Sequence, residues 1–251
     1  MLEKEEQLLR KRISELAAVC YQRDIRTNTG FLNLNEQAIF HSMERSLPPV
    51  PTVLYGGFDT AERKIVCFLP SYGQDTERFP VDRLEIAPVN ARFSEELTHR
   101  DFLGAVMGLG VDRSCIGDIA MTEAGCVLFC LEQMTGFLIS ELKSVRRTAV
   151  CCRKAPGLAG FSQSYEEVGG SVSSPRLDSL VSLVFRLSRA KALAFISGEK
   201  TFINGRLAVS AGQRLAGGEI VSVRGLGKFC YVGAGNETRK GRVFVTARRY
   251  T

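Results

Sequence analysis

The side chains best able to do chemistry lie between positions 176 and 229, and what they offer is recognition of phosphate. Arg176, Arg189, Lys191, Lys200, Arg206, Arg214, Arg224 and Lys228 supply fixed positive charge. Ser188 and Asn204 add short hydrogen-bonding groups, and Phe229 adds a ring that can stack on a base or fill a core. Cations gathered on one small module neutralise the phosphates of a nucleic acid, and such binding falls steeply with salt. The polar pair also has ordinary local uses, Ser188 as a helix cap and Asn204-Gly205 as a tight turn. Charge is unevenly spread. Residues 173–251 hold 14 Lys and Arg against 4 Asp and Glu, a balance of +10; with +6 for the whole chain, the remainder carries −4. A polyanionic partner is the leading reading of a small domain so charged.

Other constellations lead nowhere comparable. The eight cysteines include no Cys-x-x-Cys pair and only two histidines accompany them, so no metal site is expected. Most stand in apolar stretches, where a free thiol behaves as a small core residue. Reduced thiols, a first segment charged from Glu3, and no apolar run of membrane-spanning length together predict a cytoplasmic protein without membrane insertion. His99-Arg100-Asp101 copies a kinase triplet but lacks the downstream Asn and the Asp-Phe-Gly element. Gly104, Gly108 and Gly110 lack the Gly-x-Gly-x-x-Gly spacing of a nucleotide loop. No catalytic residue and no cofactor are predicted.

The elements that must position the cations can be read from periodicity. Ser174 and Pro175 read as the start of a helix with Leu177, Leu180, Val181 and Val184 on one face. Ser188 caps a second helix with Ala192, Leu193 and Ile196 as its stripe, and Gly198 reads as a left-handed stop. Short strands follow around Asn204-Gly205 and Gly217-Gly218, with Val221 and Val223 alternating against Ser222 and Arg224.

This stretch resembles the S4 RNA-binding domain (αL type). The residues that carry the likeness are Arg176-Leu177-Asp178, Leu187-Ser188-Arg189, Ala192, Ile196 with Gly198, Ile203-Asn204-Gly205, and Gly218-Glu219-Ile220 running into Val223-Arg224-Gly225. Glu219 stands where that family usually has Asp. The Arg-Leu-Asp triplet also surrounds the catalytic Asp of some pseudouridine synthases, but Val181 and Leu183 occupy the places of that motif's Thr and Gly. Asp178 is therefore read as structural, near a helix start.

Upstream, residues 1–21 read as an amphipathic helix and 35–45 as a second one capped by Asn35, ended by Pro48, Pro49 and Pro51. Strands are predicted at 53–58 and 64–69 around a turn at 59–63, with a polar loop at 71–80. Then follow strand 84–89, helix 98–107, strands 118–121 and 126–131, helix 134–145 and strand 148–153. That β-α-β-β-α-β order is the ferredoxin-like or RNA-recognition-motif (RRM-like) plan. On its two central strands only Phe129 could form the usual base-stacking platform, and its neighbours Leu128 and Leu131 point to burial. Any RNA contact there would be electrostatic, through Arg100, Arg113, Lys143, Arg146, Arg147, Arg153 and Lys154, although each of these taken singly reads as a solvated surface residue.

The segment 99–119, HRDFLGAVMGLGVDRSCIGDI, is similar to the signature of the YlmH-type S4-domain proteins of bacteria and plastids, as is Thr238-Arg239-Lys240-Gly241-Arg242 before a final strand. The predicted architecture is thus α+β: an N-terminal helical region (1–50), an RRM-like ferredoxin-like domain (51–155), a linker (156–173) and a C-terminal S4 domain (174–251). The resemblance implies a non-enzymatic RNA-binding protein on the ribosome, contacting rRNA of the large subunit and tRNA in rescue and quality control of stalled translation. The alternatives are an RNA-modifying, pseudouridine-synthase-like enzyme tethered by its S4 module, and a scaffold linked to cell division.

Overall fold

The computed structural model describes residues 2–58, 61–71, 79–90, 94–155, 165–237 and 241–250. It is a mixed α+β chain that divides into two units, Met1–Ser162 and Gln163–Thr251. The predicted turn at 59–63, the loop at 71–80, the linker at 156–173 and the run Thr238–Arg242 each fall partly outside the described residues.

The first unit opens with helix α1 (Leu2–Arg23), strand β1 (Thr27–Asn28), helix α2 (Leu34–Met43) and strands β2 (Thr52–Tyr55) and β3 (Ile65–Phe68). The strands form an antiparallel sheet in the order β1-β3-β2. Helix α1 lays Ile13, Leu16, Ala17 and Cys20 onto Phe40, Met43, Val66 and Phe68. The cap of α2 is Asn33, not Asn35: Asn33 Oδ1 accepts from Glu36 N–H at 3.0 Å while Asn33 N–H donates to the Glu36 carboxylate at 2.6 Å. A carboxylate three residues on lets Asn33 satisfy two free donors at once.

Next come β4 (Val81–Pro88), α3 (His99–Gly108), β5 (Ile116–Thr122), β6 (Gly125–Leu131), α4 (Thr135–Glu141), β7 (Ser144–Val145) and β8 (Thr148–Lys154). Their sheet runs β5-β6-β4-β8-β7 with antiparallel neighbours throughout. Helix 134–145 of the sequence reading is shorter, ending at Glu141. Ser144–Val145 instead add an edge strand to β8 through a turn with Arg146 at φ 52°.

Helices α3 and α4 cover one face of this sheet, with Phe102, Val106 and Leu138 on Leu84, Ile86, Leu128 and Cys152. The other face is covered too. Val81, Val127, Phe129 and Leu131 pack against Phe31, Ile65, Cys67 and Leu69 of the N-terminal sheet region. Phe129 is fully buried, its ring 4.9 Å from that of Phe58. Gly57 (φ +97°) passes so close that an added Cβ would lie 2.3 Å from the Phe129 ring. The face that could stack bases is thus spent on the core.

The second unit contains β9 (Tyr165–Val172), α5 (Leu177–Val184), α6 (Arg189–Ser197), β10 (Thr201–Ile203), β11 (Arg206–Leu207), β12 (Ile220–Val223), β13 (Gly227–Glu237) and β14 (Val243–Tyr250). One antiparallel sheet holds them in the order β11-β10-β12-β13-β14-β9. β9 pairs with β14 from Val172↔Val243 to Tyr165↔Tyr250, so the described part of the 156–173 stretch is mostly sheet. Leu177, Leu180, Val181 and Val184 of α5, with Ala192 and Ile196 of α6, bury against Val221, Val223, Phe229, Tyr231, Val245 and Ala247. Both helices therefore lie on one side of the sheet.

Two local expectations shift here. Helix α5 begins at Leu177, with Arg176 and not Ser174 at its N-cap position. The chain before it is held by the segment ahead of β12: Leu177 N–H donates to Gln213 O at 2.8 Å and Leu215 N–H to Pro175 O at 3.1 Å. Gly198 has φ −82°, and the left-handed residue after α6 is Glu199, at φ 56°. Asn204 (φ 49°) and Gly205 (φ 76°) form the predicted turn, with both central residues left-handed as a type I′ hairpin requires.

Candidate nucleic-acid interface

The cations of the second unit sort onto two sides. On the helix side they converge on Asp178, which sits in the first turn of α5 and is 2% exposed. A buried carboxylate must be paired. Arg176 Nε and Nη2 donate to its two oxygens at 3.2 and 2.9 Å, Arg189 Nε donates to Oδ2 at 2.9 Å, and Ser179 N–H donates to Oδ1 at 2.9 Å. Arg189 remains 60% exposed and Arg176 34% exposed along their side chains. One acid thus fixes two guanidiniums at the point where both helices begin. Each guanidinium still has N–H groups left for an anion, because five donors exceed what one carboxylate uses.

Other expected residues join this cluster. Ser188 caps α6, its Oγ accepting from Lys191 N–H at 3.3 Å, and the Lys191 side chain stands exposed in the first turn. A backbone bridge couples Arg214 to Arg176. Next to Arg189 lies a hollow of about 260 Å³ lined by Ser171, Ser173, Ser179, Ser182, Leu183 and Arg242 among others. Arg242 Nη2 donates to the Ser171 carbonyl at its rim. Hydroxyls and two guanidiniums around an open hollow suit a phosphate. Arg242 was visible in sequence only as part of a terminal basic run; its place here follows from the pairing of β14 with β9.

The remaining candidates stand apart from that cluster. Lys200 follows α6, with its ammonium 6.0 Å from the Phe195 ring centre. Arg206 is exposed on β11. Arg224 and Lys228 lie on the sheet face opposite the helices, over the rings of Phe202 (4.8 Å) and Tyr250 (5.1 Å).

Two expected contacts have other work. Phe229 is fully buried and meets Phe185 edge-on at 5.8 Å, so it fills the core and cannot stack on a base. Asn204 accepts from Ile220 N–H at 2.9 Å and donates to Glu219 at 3.3 Å, which ties its hairpin to β12. Glu219 also accepts from Ala216 N–H at 2.8 Å, so its extra methylene over Asp reaches a second turn.

In the first unit most of the named cations are already engaged. Arg113 is half-buried and donates to the carbonyls of Ile116 (2.6 Å) and Gly117 (3.3 Å). Burial, then repulsion from Arg63, pushes its pKa down to about 10. That makes Arg113 a structural residue and corrects its expected surface role. Arg146 lies 3.7 Å from both Glu95 and Asp101, Arg153 pairs with Glu85 at 3.1 Å, and Lys154 with Asp82 at 2.7 Å. Lys143 Nζ donates to Ile139 O at 3.2 Å, Arg147 N–H donates to Glu95, and Arg100 is exposed. A hollow of about 500 Å³ in this unit carries Glu95, Glu96 and Glu123 and would repel phosphate.

Among the described residues no group of His, Cys, Asp and Glu is placed to hold a metal ion, and no helix is long and apolar enough to cross a membrane. The cysteines are free thiols.

The family match among known proteins falls in the first unit. Residues 75–157 match the family model described as "Putative RNA-binding domain in YlmH". The chain is similar to the ribosome-associated protein quality control protein P2 of Bacillus subtilis (strain 168), with 28% identity over 88% of this chain and 86% of that protein. It is also similar in fold to the cell division protein ylmH from Streptococcus pneumoniae, with a TM-score of 0.50 and 22% identity over 63% of this chain and 95% of the other. By the family model and the curated relative, the chain is similar to the YlmH-type RNA-binding proteins.

Proposed function

We propose that the protein is a non-enzymatic RNA binder. Its second unit is read as an S4-type module that grips structured RNA by its phosphates through the helix-side cations. The first unit is read as an RRM-like, ferredoxin-like domain without a stacking face, preceded by a helical N-terminal region. The printed name of the ribosome-associated quality-control relative supports the ribosome as partner; the resemblance to YlmH-type S4-domain proteins implies the large subunit, through its rRNA and tRNA, during rescue of stalled translation in the cytoplasm. The observation that carries this reading is the buried Asp178 carboxylate holding Arg176 and Arg189 at the joint start of α5 and α6. Such an arrangement orders two cations before any ligand arrives, which lowers the entropic cost of binding.

The same observation weighs against the modifying-enzyme alternative. A catalytic Asp needs an accessible oxygen, whereas both oxygens of Asp178 are taken by arginines within a buried site. The deciding experiment is ribosome co-sedimentation of the double variant Arg189→Glu/Lys191→Glu, with circular dichroism as the folding control. Loss of co-sedimentation with an intact fold is expected. A salt titration of RNA affinity should also be shallower by about two phosphate contacts than in the unaltered protein. Unchanged sedimentation would place the RNA site elsewhere.

A further inference from the structure

We propose that the helix-free face of the second unit's sheet is a stacking surface for unpaired nucleotides of RNA, separate from the helix-side cation cluster. The inference rests on the RNA-binding reading above. Register alone assembles the surface. Leu207 pairs with Phe202, Phe202 with Ser222, and Ser222 with Lys228; Tyr250 pairs with Tyr165. The Lys228 ammonium, over the Tyr250 ring at 5.1 Å, joins the two sets into one row across all six strands. Cross-strand partners share a face, and this one is opposite to the Val221, Phe229 and Ala247 face that the helices cover.

Rings and cations interleave along the row. Arg224 lies over Phe202 and Arg248 over Tyr165, each at 4.8 Å. Phe244 stands on the same face above Gly169, where an added Cβ would come within 2.8 Å of its ring. Tyr165 and Phe244 are 42% and 46% exposed. A solvated sheet face needs only polar side chains, so rings left half in water call for a reason. Every base offers a flat π surface that stacks on an aromatic ring or a guanidinium plane, while the cations meet the phosphates between bases. Strands spaced about 4.8 Å apart make the row from Phe202 to Tyr165 about 19 Å long, enough for several nucleotides. Arg224, Lys228 and Arg248 bring three cations to this face, and Glu167 is the register partner of Arg248. Central positive charge favours a polyanion over an apolar protein segment, and stacking requires bases that are not paired.

The test uses the full chain and two labelled probes, an oligouridylate and a ribosomal-RNA hairpin, read by fluorescence anisotropy. Tyr165→Ala/Phe244→Ala should weaken oligouridylate binding by about tenfold or more while leaving hairpin affinity and thermal melting unchanged. Arg189→Glu/Lys191→Glu should do the reverse. Ultraviolet cross-linking of the unaltered protein to the oligouridylate supplies a readout independent of any variant, with base adducts expected at Phe202, Tyr165 or Tyr250. Unchanged oligouridylate affinity in the aromatic variant overturns the inference. So do oligouridylate cross-links that fall only outside this face. Binding of the hairpin alone also sinks the inference but leaves the RNA-binding reading standing; binding of neither probe sinks both.

Discussion

Asp178 Oδ2 lies 2.8 Å from Arg189 Nη2, an ion pair between the first turn of one helix and the first residue of the next. It sets the angle at which the two helix starts meet and aims a guanidinium outward. Asp178→Asn keeps the shape but removes the charge from three charge-assisted bonds. Because both arginines are partly solvated, the loss should sit near the low end for such bonds, about 1 kcal/mol in urea unfolding. Arg189→Ala should cost about 0.5 kcal/mol or less, since it removes an exposed partner. A larger cost for Arg189→Ala than for Asp178→Asn would mean that the arginine, and not the acid, organises the joint.

Gly57 offers a test of the buried sheet face in the first unit. Its φ of +97° and the Phe129 ring beneath it leave no room for a methyl group. Gly57→Ala should destabilise the protein by about 2–3 kcal/mol, from backbone strain together with overpacking. A thermal melt within a degree or two of the unaltered protein would show that the N-terminal sheet region does not cover Phe129 as described.

The start of α3 sets an acid-sensitive step. The Thr98 hydroxyl, then the Thr98 N–H, donate to Asp101 Oδ2 at 2.7 and 2.9 Å, and these bonds hold the Asp101 pKa below its ordinary 3.8. A depressed folded pKa means the stabilisation is complete above the unfolded value and fades as pH falls through the lower folded one. Asp101→Asn should therefore flatten part of the stability loss below about pH 4, read from urea midpoints across an acid series. An unchanged acid limb would remove Asp101 from the account.

Thiol reactivity should be graded by burial. Desolvation pushes Cys67, Cys126 and Cys130 up to about 12 and Cys152 to about 11, whereas Cys151 is exposed on β8. Only thiolate reacts quickly. Iodoacetamide at neutral pH should label Cys151 first, and the four buried thiols only after denaturation. Early labelling of Cys126 or Cys130, seen by peptide mass mapping, would contradict the core arrangement of β6.

The sequence disclosed the parts whose signals are local. Helical spacing located α5 and α6, Asn204-Gly205 announced its hairpin, and Ser188 was legible as a cap. Signals that depend on distant partners were not legible. Nothing near Phe229 distinguishes a stacking ring from a core ring; its alternation with Tyr231 decides this only once β13 is paired. Arg113 reads as a surface cation until the carbonyls of Ile116 and Gly117 close on it. Tyr165, Arg248 and Tyr250 became part of a candidate surface because β9 and β14 are neighbours, a fact carried by no short window of residues. Alternation in Val243–Tyr250, with Val245 and Ala247 inward, was the one available hint.

The pairing of β9 with β14 also bears on how the protein is made. Ser171 and Arg242, joined across this seam, are 71 positions apart. Until the later strand has left the exit tunnel, β9 has no neighbour and β13 offers a bare edge, the kind of template on which chains stick to one another. Nascent copies on crowded polysomes would carry that hazard for most of the second unit's synthesis, and they would shed it all at once as residues 243–250 emerge.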